Sequence, residues 1–179
     1  EMTNAPDWPE ISAEPVGKAL DPYQKNGTIH HYTGSSHNEQ GHITKDPVII
    51  AEFNERLAHK IEKHADEISL VKADIEKGAE TLILSYGISA RSMEAAVKKI
   101  RSDNEKVSAL TIYSLWPIPE NQILACLKGI KRIIIPEMNH GQYRHEIERL
   151  VKGDVKLVGV NRVDTILITP EEIMGAFHV

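Results

Sequence analysis

A single cysteine, Cys126, is all the thiol that the 179-residue sequence offers. One sulfur excludes an internal disulfide, a thiolate-held iron-sulfur cluster and a Cys-rich zinc site, and it fits a reducing, cytoplasmic setting. Aromatic residues are scarce at 5%. Apolar runs such as Val48 to Ala51 and Ile133 to Ile135 fall far short of the roughly 20 residues that span a bilayer, so no membrane anchor is expected. The stretch from Glu1 lacks the basic and apolar regions of a secretory signal, and a chain opening on Glu reads as a fragment of a longer one. No large charge of one sign is present either. The sequence holds 21 Lys and Arg against 26 Asp and Glu, and residues 1 to 46 take 3 of those bases and 7 of the acids, leaving the rest nearly neutral. Without a basic stripe to displace counterions from phosphates, nucleic-acid binding is set aside.

Motifs of nucleotide chemistry are missing too. The turn Ser85-Tyr86-Gly87-Ile88-Ser89-Ala90-Arg91 has one glycine where a dinucleotide or P-loop site places several, because backbone N–H groups must approach phosphates closely there. The serine elbow of hydrolases is absent. A phosphoryl-accepting receiver would need acids at the first strand end, which instead carries Ser85 and Tyr86. The histidines His30, His31, His37 and His42 are irregularly spaced with no thiolate, and His59 and His64 lie five apart, so they diverge on a helix. Cys126 on a Leu-rich helix reads as a small packed hydrophobe.

What is present has a clear order. Residues 1 to 46, with Pro6, Pro9, Pro15 and Pro22 and no sustained apolar period, read as an irregular arm anchored by Trp8 and Tyr23. Asp46-Pro47 combines a capping carboxylate with a residue suited to the first helical turn. A long helix is therefore expected, with Ile49, Phe53, Leu57, Ile61, Ala65 and Ile68 on its packed face. From Thr81, short apolar runs alternate with amphipathic stretches. Strands are expected at Thr81 to Tyr86, Val107 to Tyr113, Arg132 to Ile135 and Val155 to Val160, with helices from Ser89, which caps, from Pro119, from Gly141 and from Thr169-Pro170-Glu171-Glu172, a capping box. This is an α/β three-layer sandwich around a mostly parallel sheet, spanning 47–179 after the 1–46 arm.

Three segments exceed what such a sandwich needs. A polar loop runs from Tyr32 to Thr44; Leu115-Trp116-Pro117-Ile118-Pro119 makes a rigid corner that can bury indole area while keeping its N–H on a partner; and Glu137-Met138-Asn139-His140-Gly141-Gln142 ends a strand where open α/β sheets place functional groups. Glu137 is positioned to accept from backbone N–H groups of the following turn, with Asn139 and Gln142 fixing its conformation. The alternative for Glu137 is direct contact with a substrate or cofactor. His37, Glu39 and His42 divide between loop architecture and a subunit contact, and Trp116 stands as an interface candidate.

Together the segments resemble the alpha subunit of the 2-oxoacid:ferredoxin (acceptor) oxidoreductases, 2-oxoglutarate type. The resemblance runs from about Thr33 to the end. It rests on Gly34, His37, Glu39, Gly41 and His42, on Leu115 to Pro119, on Glu137 to Gln142, and on Asn161-Arg162-Val163-Asp164 followed by Thr169-Pro170-Glu171-Glu172-Ile173. It implies a domain like the C-terminal domain of transketolase, inside a complex that oxidatively decarboxylates 2-oxoglutarate with coenzyme A to succinyl-CoA and carbon dioxide. Pyruvate or branched-chain 2-oxoacids are the alternative substrates. Thiamine pyrophosphate, magnesium and iron-sulfur clusters would be held by a beta subunit and small electron-transfer subunits, with ferredoxin or flavodoxin as acceptor and with dimer contacts through this domain. No Gly-Asp-Gly thiamine segment is present: Gly153-Asp154 continues to Val155. The chain itself is expected to hold no catalytic, cofactor or metal residue and to act in structure and assembly. Two other readings stay open: a free-standing protein-binding module, and a small enzyme using Glu137, His140 and Ser85.

Overall fold

The computed structural model describes residues 34–38 and 42–179. Trp8, Tyr23, His30, His31 and Glu39, singled out in the sequence, lie outside them. The chain divides between Ile68 and Ser69 into two compact units.

In the first unit, His37 and Ile43 form an isolated antiparallel bridge, flanked by hydrogen bonds from Asn38 N to His42 O and from Thr44 N to Ser36 O. Helix α1 spans Pro47–Glu62. It starts as its sequence dictates: Asp46 accepts from Val48 N at 2.9 Å and Pro47 takes the first helical position. It ends earlier than expected, at Lys63, and Ala65–Ile68 forms a separate short turn, α2. No residue of α1 is fully buried. Ile49, Phe53 and Ile61 are half-buried, but Leu57 is 44% exposed. At about 100° per residue these four positions fall within an arc of about 120°, so helical position alone does not account for the exposure of Leu57 between half-buried Phe53 and Ile61. Phe53 takes the His37 ring edge-on at 5.1 Å and the Arg56 guanidinium at 5.2 Å.

The second unit is a five-stranded sheet of β1 (Val71–Asp74), β2 (Thr81–Tyr86), β3 (Ser108–Ile112), β4 (Arg132–Glu137) and β5 (Lys156–Asn161), in the order β1-β3-β2-β4-β5. β2 to β5 pair in parallel and β1 runs antiparallel along β3, with Val71 opposite Ile112. The helices are α3 (Ser89–Ser102), α4 (Glu120–Ala125), α5 (Gln142–Leu150) and α6 (Pro170–His178). Central strands buried on both faces need unbroken apolar runs, which is why Leu82-Ile83-Leu84 and Ile133-Ile134-Ile135 are fully enclosed. Alternation then sorts them. Ile83 and Ile134 join Met93, Val97, Ile100, Ile173 and Phe177 in the layer under α3 and α6. Leu82, Leu84, Ile133 and Ile135 join Ile123, Tyr143 and Ile147 under α4 and α5.

The mostly parallel three-layer sandwich is thus the fold observed. In this unit one strand went unforeseen and one expected cap is absent. β1 escapes a reading by apolar pattern because it is four residues of Val-Lys-Ala-Asp, largely exposed on an edge. Ser89 does not cap α3: it is the first helical residue, buried, with Ile88 at the cap position and no side-chain capping bond. Thr169 does cap α6, its hydroxyl accepting from Glu172 N while Glu172 accepts from Thr169 N.

Ile134→Ala should lower the stability of the protein by about 2 to 5 kcal/mol through lost burial and a cavity. Thr169→Ala should cost about 1 kcal/mol. Half-exposed Leu124 changed to Ala should stay within about 0.5 kcal/mol. Urea unfolding midpoints at constant slope measure all three.

Candidate functional site

In an open α/β sheet the ligand crevice forms where the strand order reverses. Here β2 leads to β3 on one side while β4 lies on the other, so the crevice falls between the carboxyl ends of β2 and β4. The ladder between those strands runs through Thr81, Leu82 and Ile83 against Arg132, Ile133 and Ile134. Further along, Pro136 has no N–H to give. Side chains take over: Ser85 Oγ donates to Pro136 O at 2.9 Å, and Tyr86 Oη donates to Glu137 Oε2 at 3.1 Å.

Glu137 is 0% exposed. Its Oε2 also accepts from Tyr143 N at 3.0 Å, and Oε1 accepts from Arg144 N at 3.1 Å. Asn139 completes the set. Its Oδ1 accepts from Gly141 N at 2.8 Å and Gln142 N at 3.0 Å, while its Nδ2 donates to Tyr86 Oη at 2.7 Å. Asn161 Nδ2 in turn donates to Asn139 O at 3.0 Å. Gly141, at φ 96°, makes the left-handed turn into α5. A helix start leaves its first N–H groups without partners inside the helix, and this one aims four of them at two side chains of its own chain.

The ring of Tyr86 meets Tyr143 edge-on at 5.3 Å. Burial, then the charge of Glu137, pushes the Tyr86 phenol from its ordinary 10.0 up to about 12. Burial also raises Tyr143 and the Cys126 thiol, which leaves Cys126 a poor nucleophile.

The structure therefore brings Glu137 and Asn139 together with Gln142, the last through its backbone N–H. Tyr86, Tyr143 and Asn161 belong to the same network but were not among the candidate site residues, although Asn161 opens one of the segments that carry the resemblance. The signal available was positional: Tyr86 and Asn161 end parallel strands, and Tyr143 faces inward on α5. Trp116 takes no part in the network. It is 75% exposed and joined to Pro117 by a cis bond, so its indole is not buried within this chain; Pro119 is what the corner buries. His37 and His42 lie in the other unit, where His37 Nδ1 is 3.3 Å from Ser35 O and His42 N donates to Asn38 Oδ1 at 3.0 Å.

The donors that could cradle a diphosphate are occupied, and among the described residues no group of three or more His, Cys, Asp or Glu could hold a metal ion. These residues do not fit thiamine pyrophosphate with its magnesium. Nor is any described helix long and apolar enough to cross a membrane.

An open α/β domain whose sheet-end crevice is closed by its own polar side chains defines the class. Residues 79–173 match the family described as pyruvate:ferredoxin oxidoreductase core domain II, and the chain belongs to that family. It is 32% identical over 144 residues to the 2-oxoglutarate synthase subunit KorA of Methanothermobacter thermautotrophicus, covering 80% of this chain and 38% of that one. It is also 32% identical over 127 residues to the ketoisovalerate oxidoreductase subunit VorB of the same organism, covering 70% and 35%. The chain thus spans well under half the length of these curated relatives. The 2-oxoglutarate:ferredoxin oxidoreductase of Magnetococcus marinus superposes with a TM-score of 0.70 at 23% identity, over 87% of this chain and 27% of that one, a likeness of fold.

Glu137→Ala should cost at least about 2 kcal/mol, since the N–H groups of Tyr143 and Arg144 lose their acceptor, and Tyr86→Phe about 1 kcal/mol. A raised native phenol means that the unfolded chain ionises first. The stability Tyr86 contributes is therefore complete below pH 10 and is lost as pH rises toward 12. Urea midpoints between pH 9 and 11.5 should fall less steeply in Tyr86→Phe than in the natural protein.

Proposed function

We propose that this chain is a structural and assembly domain of the alpha subunit of a thiamine-dependent 2-oxoglutarate:ferredoxin oxidoreductase. The whole complex would convert 2-oxoglutarate and coenzyme A to succinyl-CoA and carbon dioxide in the cytoplasm, passing electrons to ferredoxin or flavodoxin. The observation that carries the assembly role is the closed crevice. Tyr86, Glu137 and Asn139 occupy the place where an open sheet would receive a ligand, and they use the α5 donors that would bind it. The 2-oxoglutarate assignment draws on the similarity to 2-oxoglutarate synthase subunits. Thiamine pyrophosphate, magnesium and iron-sulfur clusters belong in this reading to a beta subunit and to small electron-transfer subunits. Glu137, Asn139 and Gln142 serve the turn, while His37, Glu39, His42 and Trp116 serve the polar loop and contacts between subunits or copies.

A second substrate reading, a branched-chain 2-oxoacid, is favoured by the equal identity to the ketoisovalerate enzyme subunit. One experiment addresses both. The tagged full-length protein is purified from its own cells, and the eluate is assayed for coenzyme-A-dependent viologen reduction with 2-oxoglutarate, pyruvate and 2-oxoisovalerate in turn. Activity with a thiamine-binding partner present supports the complex, and the preferred acid names the enzyme. Elution alone and inactive sinks it in favour of a free-standing binding module. In the active complex, Glu137→Ala should lower melting temperature and recovered complex while leaving KM for the oxoacid within about twofold; an unchanged melting temperature with a large rise in KM would put Glu137 at the substrate instead.

A further inference from the structure

The two edges of the sheet differ. β1 is four residues long and largely exposed, and its charged Lys72 and Asp74 pair with Glu94 and Arg101 of α3. A short, charged edge resists pairing with another chain. β5 is six residues long, with half-buried Leu157, Val158, Gly159 and Val160 between exposed Lys156 and Asn161. It carries neither a proline nor an inner charge to blunt it.

Two hydrogen bonds fix which way its backbone groups point. Lys156 N donates to Lys131 O at 2.9 Å, and Arg162 N donates to Glu137 O at 3.3 Å. Both backbone groups of a strand residue point to one side, and the side alternates along the chain. Residues 156, 158, 160 and 162 therefore face β4, while the N–H and C=O of Leu157, Gly159 and Asn161 point away from the sheet. β5 has no ladder partner on that side among the described residues. A groove of about 420 Å³ beside Lys156, Leu157, Val158, Gly175 and Ala176 leaves this edge open on the α6 side.

We infer that the free edge of β5 pairs antiparallel with β5 of a second copy of this chain, around a two-fold axis at Gly159. A row of unpaired N–H and C=O groups is matched by an extended backbone, and a two-fold axis presents the same edge from both copies. The register that engages Leu157, Gly159 and Asn161 together sets Gly159 against Gly159 and Leu157 against Asn161, for about six ladder hydrogen bonds. It also sets Val158 against Val160 in non-hydrogen-bonded pairs, where side chains stand closest and β-branched ones stabilise a sheet.

Charge favours the same register. Lys156, Val158 and Val160 alternate onto the face where Val158 and Val160 pack with α6 and Arg162 reaches Glu172. Lys156 falls opposite position 162 of the second copy. There Arg162 is outnumbered, paired with Asp164 at 2.6 Å and Glu172 at 2.7 Å, whereas exposed Lys156 has no carboxylate partner among the described residues. The surplus negative charge at one end of each strand thus meets the unpaired cation at the other end of its copy. This self-complementarity selects a second copy over a strand of a different protein. The inference goes beyond the proposed function, since it requires no particular oxoacid or subunit.

The test uses the full-length protein with the subunits it carries. Val158→Cys and Val160→Cys are made on differently tagged copies, expressed singly and together, and oxidised. Co-expression should join position 158 of one copy to position 160 of the other, a pair within disulfide reach, and neither variant alone should cross-link. Lys156→Glu should raise the Kd of the dimer roughly tenfold in sedimentation experiments. If the cysteine variants fail to fold, Lys156→Glu decides, because its exposed side chain holds nothing in its own chain. A natural protein that carries one copy per particle overturns the pairing, as does a dimer that forms no 158–160 bond. A bond in Val158→Cys alone overturns this register, and a bond from position 158 to another subunit gives the edge to that subunit instead. Loss of the pairing with viologen reduction intact leaves the proposed function standing. The 158–160 bond in a protein with no thiamine-binding partner keeps the pairing and sinks the proposed function.

Discussion

A carboxylate enclosed by protein is costly unless hydrogen-bond donors replace the water it has lost, and Glu137 is given three. Much of the second unit is arranged around this requirement. Helix α5 must begin where Tyr143 N and Arg144 N reach the two oxygens, so the turn before it must be tight. Gly141 supplies that turn in a conformation other residues rarely adopt. Asn139 must hold the remaining two N–H groups, and it does so while its amide orients Tyr86 toward Glu137. The phenol receives from Asn139 and gives to Glu137, which gives the chain of bonds one direction. The same few side chains thus start a helix, close a turn and tie two strands.

This arrangement also bears on what the domain does. Helix N-termini at the end of a parallel sheet are ready anion sites because their N–H groups converge and their dipoles add. Here the anion is built in. The domain keeps the architecture of a ligand-binding sheet, but its own glutamate stands where a phosphate would go. The assembly role proposed above draws on this closure, and the chain aligns with only part of longer subunits.

The sequence made the central strands and most helices legible because their signals are local. Leu82 to Leu84 and Ile133 to Ile135 can only be strands buried on both faces, and Asp46-Pro47 and Thr169-Pro170 mark helix starts by side-chain chemistry alone. β1 was not legible because an exposed four-residue edge strand has no apolar pattern to show, and its place is set by β3 beside it. α1 misled because its apolar recurrence runs on to Ala65 and Ile68, which the chain places in a separate short turn after Lys63. At the site, Glu137 and Asn139 could be read from their position after a strand. Tyr86 and Asn161 share that strand-end position, but what joins them to Asn139 is folding across more than twenty residues of chain, which no local pattern shows. For Trp116 the sequence could not say which way the ring lies, since nothing local distinguishes a ring held out from a ring tucked in.

Hydrogen bonds of a β-ladder are made by groups that every residue but proline carries, so they survive almost any side-chain replacement. Beyond Ile83 and Ile134 the two halves of this sheet are tied instead by Ser85, Tyr86, Glu137 and Asn139. Each tie hangs on a single codon. Genetic drift can therefore loosen this seam one residue at a time while the rest of the sheet stays intact. The same property marks the shortest mutational path from this domain to one with an open pocket: replacing Glu137 with a small residue would release helix donors already aimed at the gap.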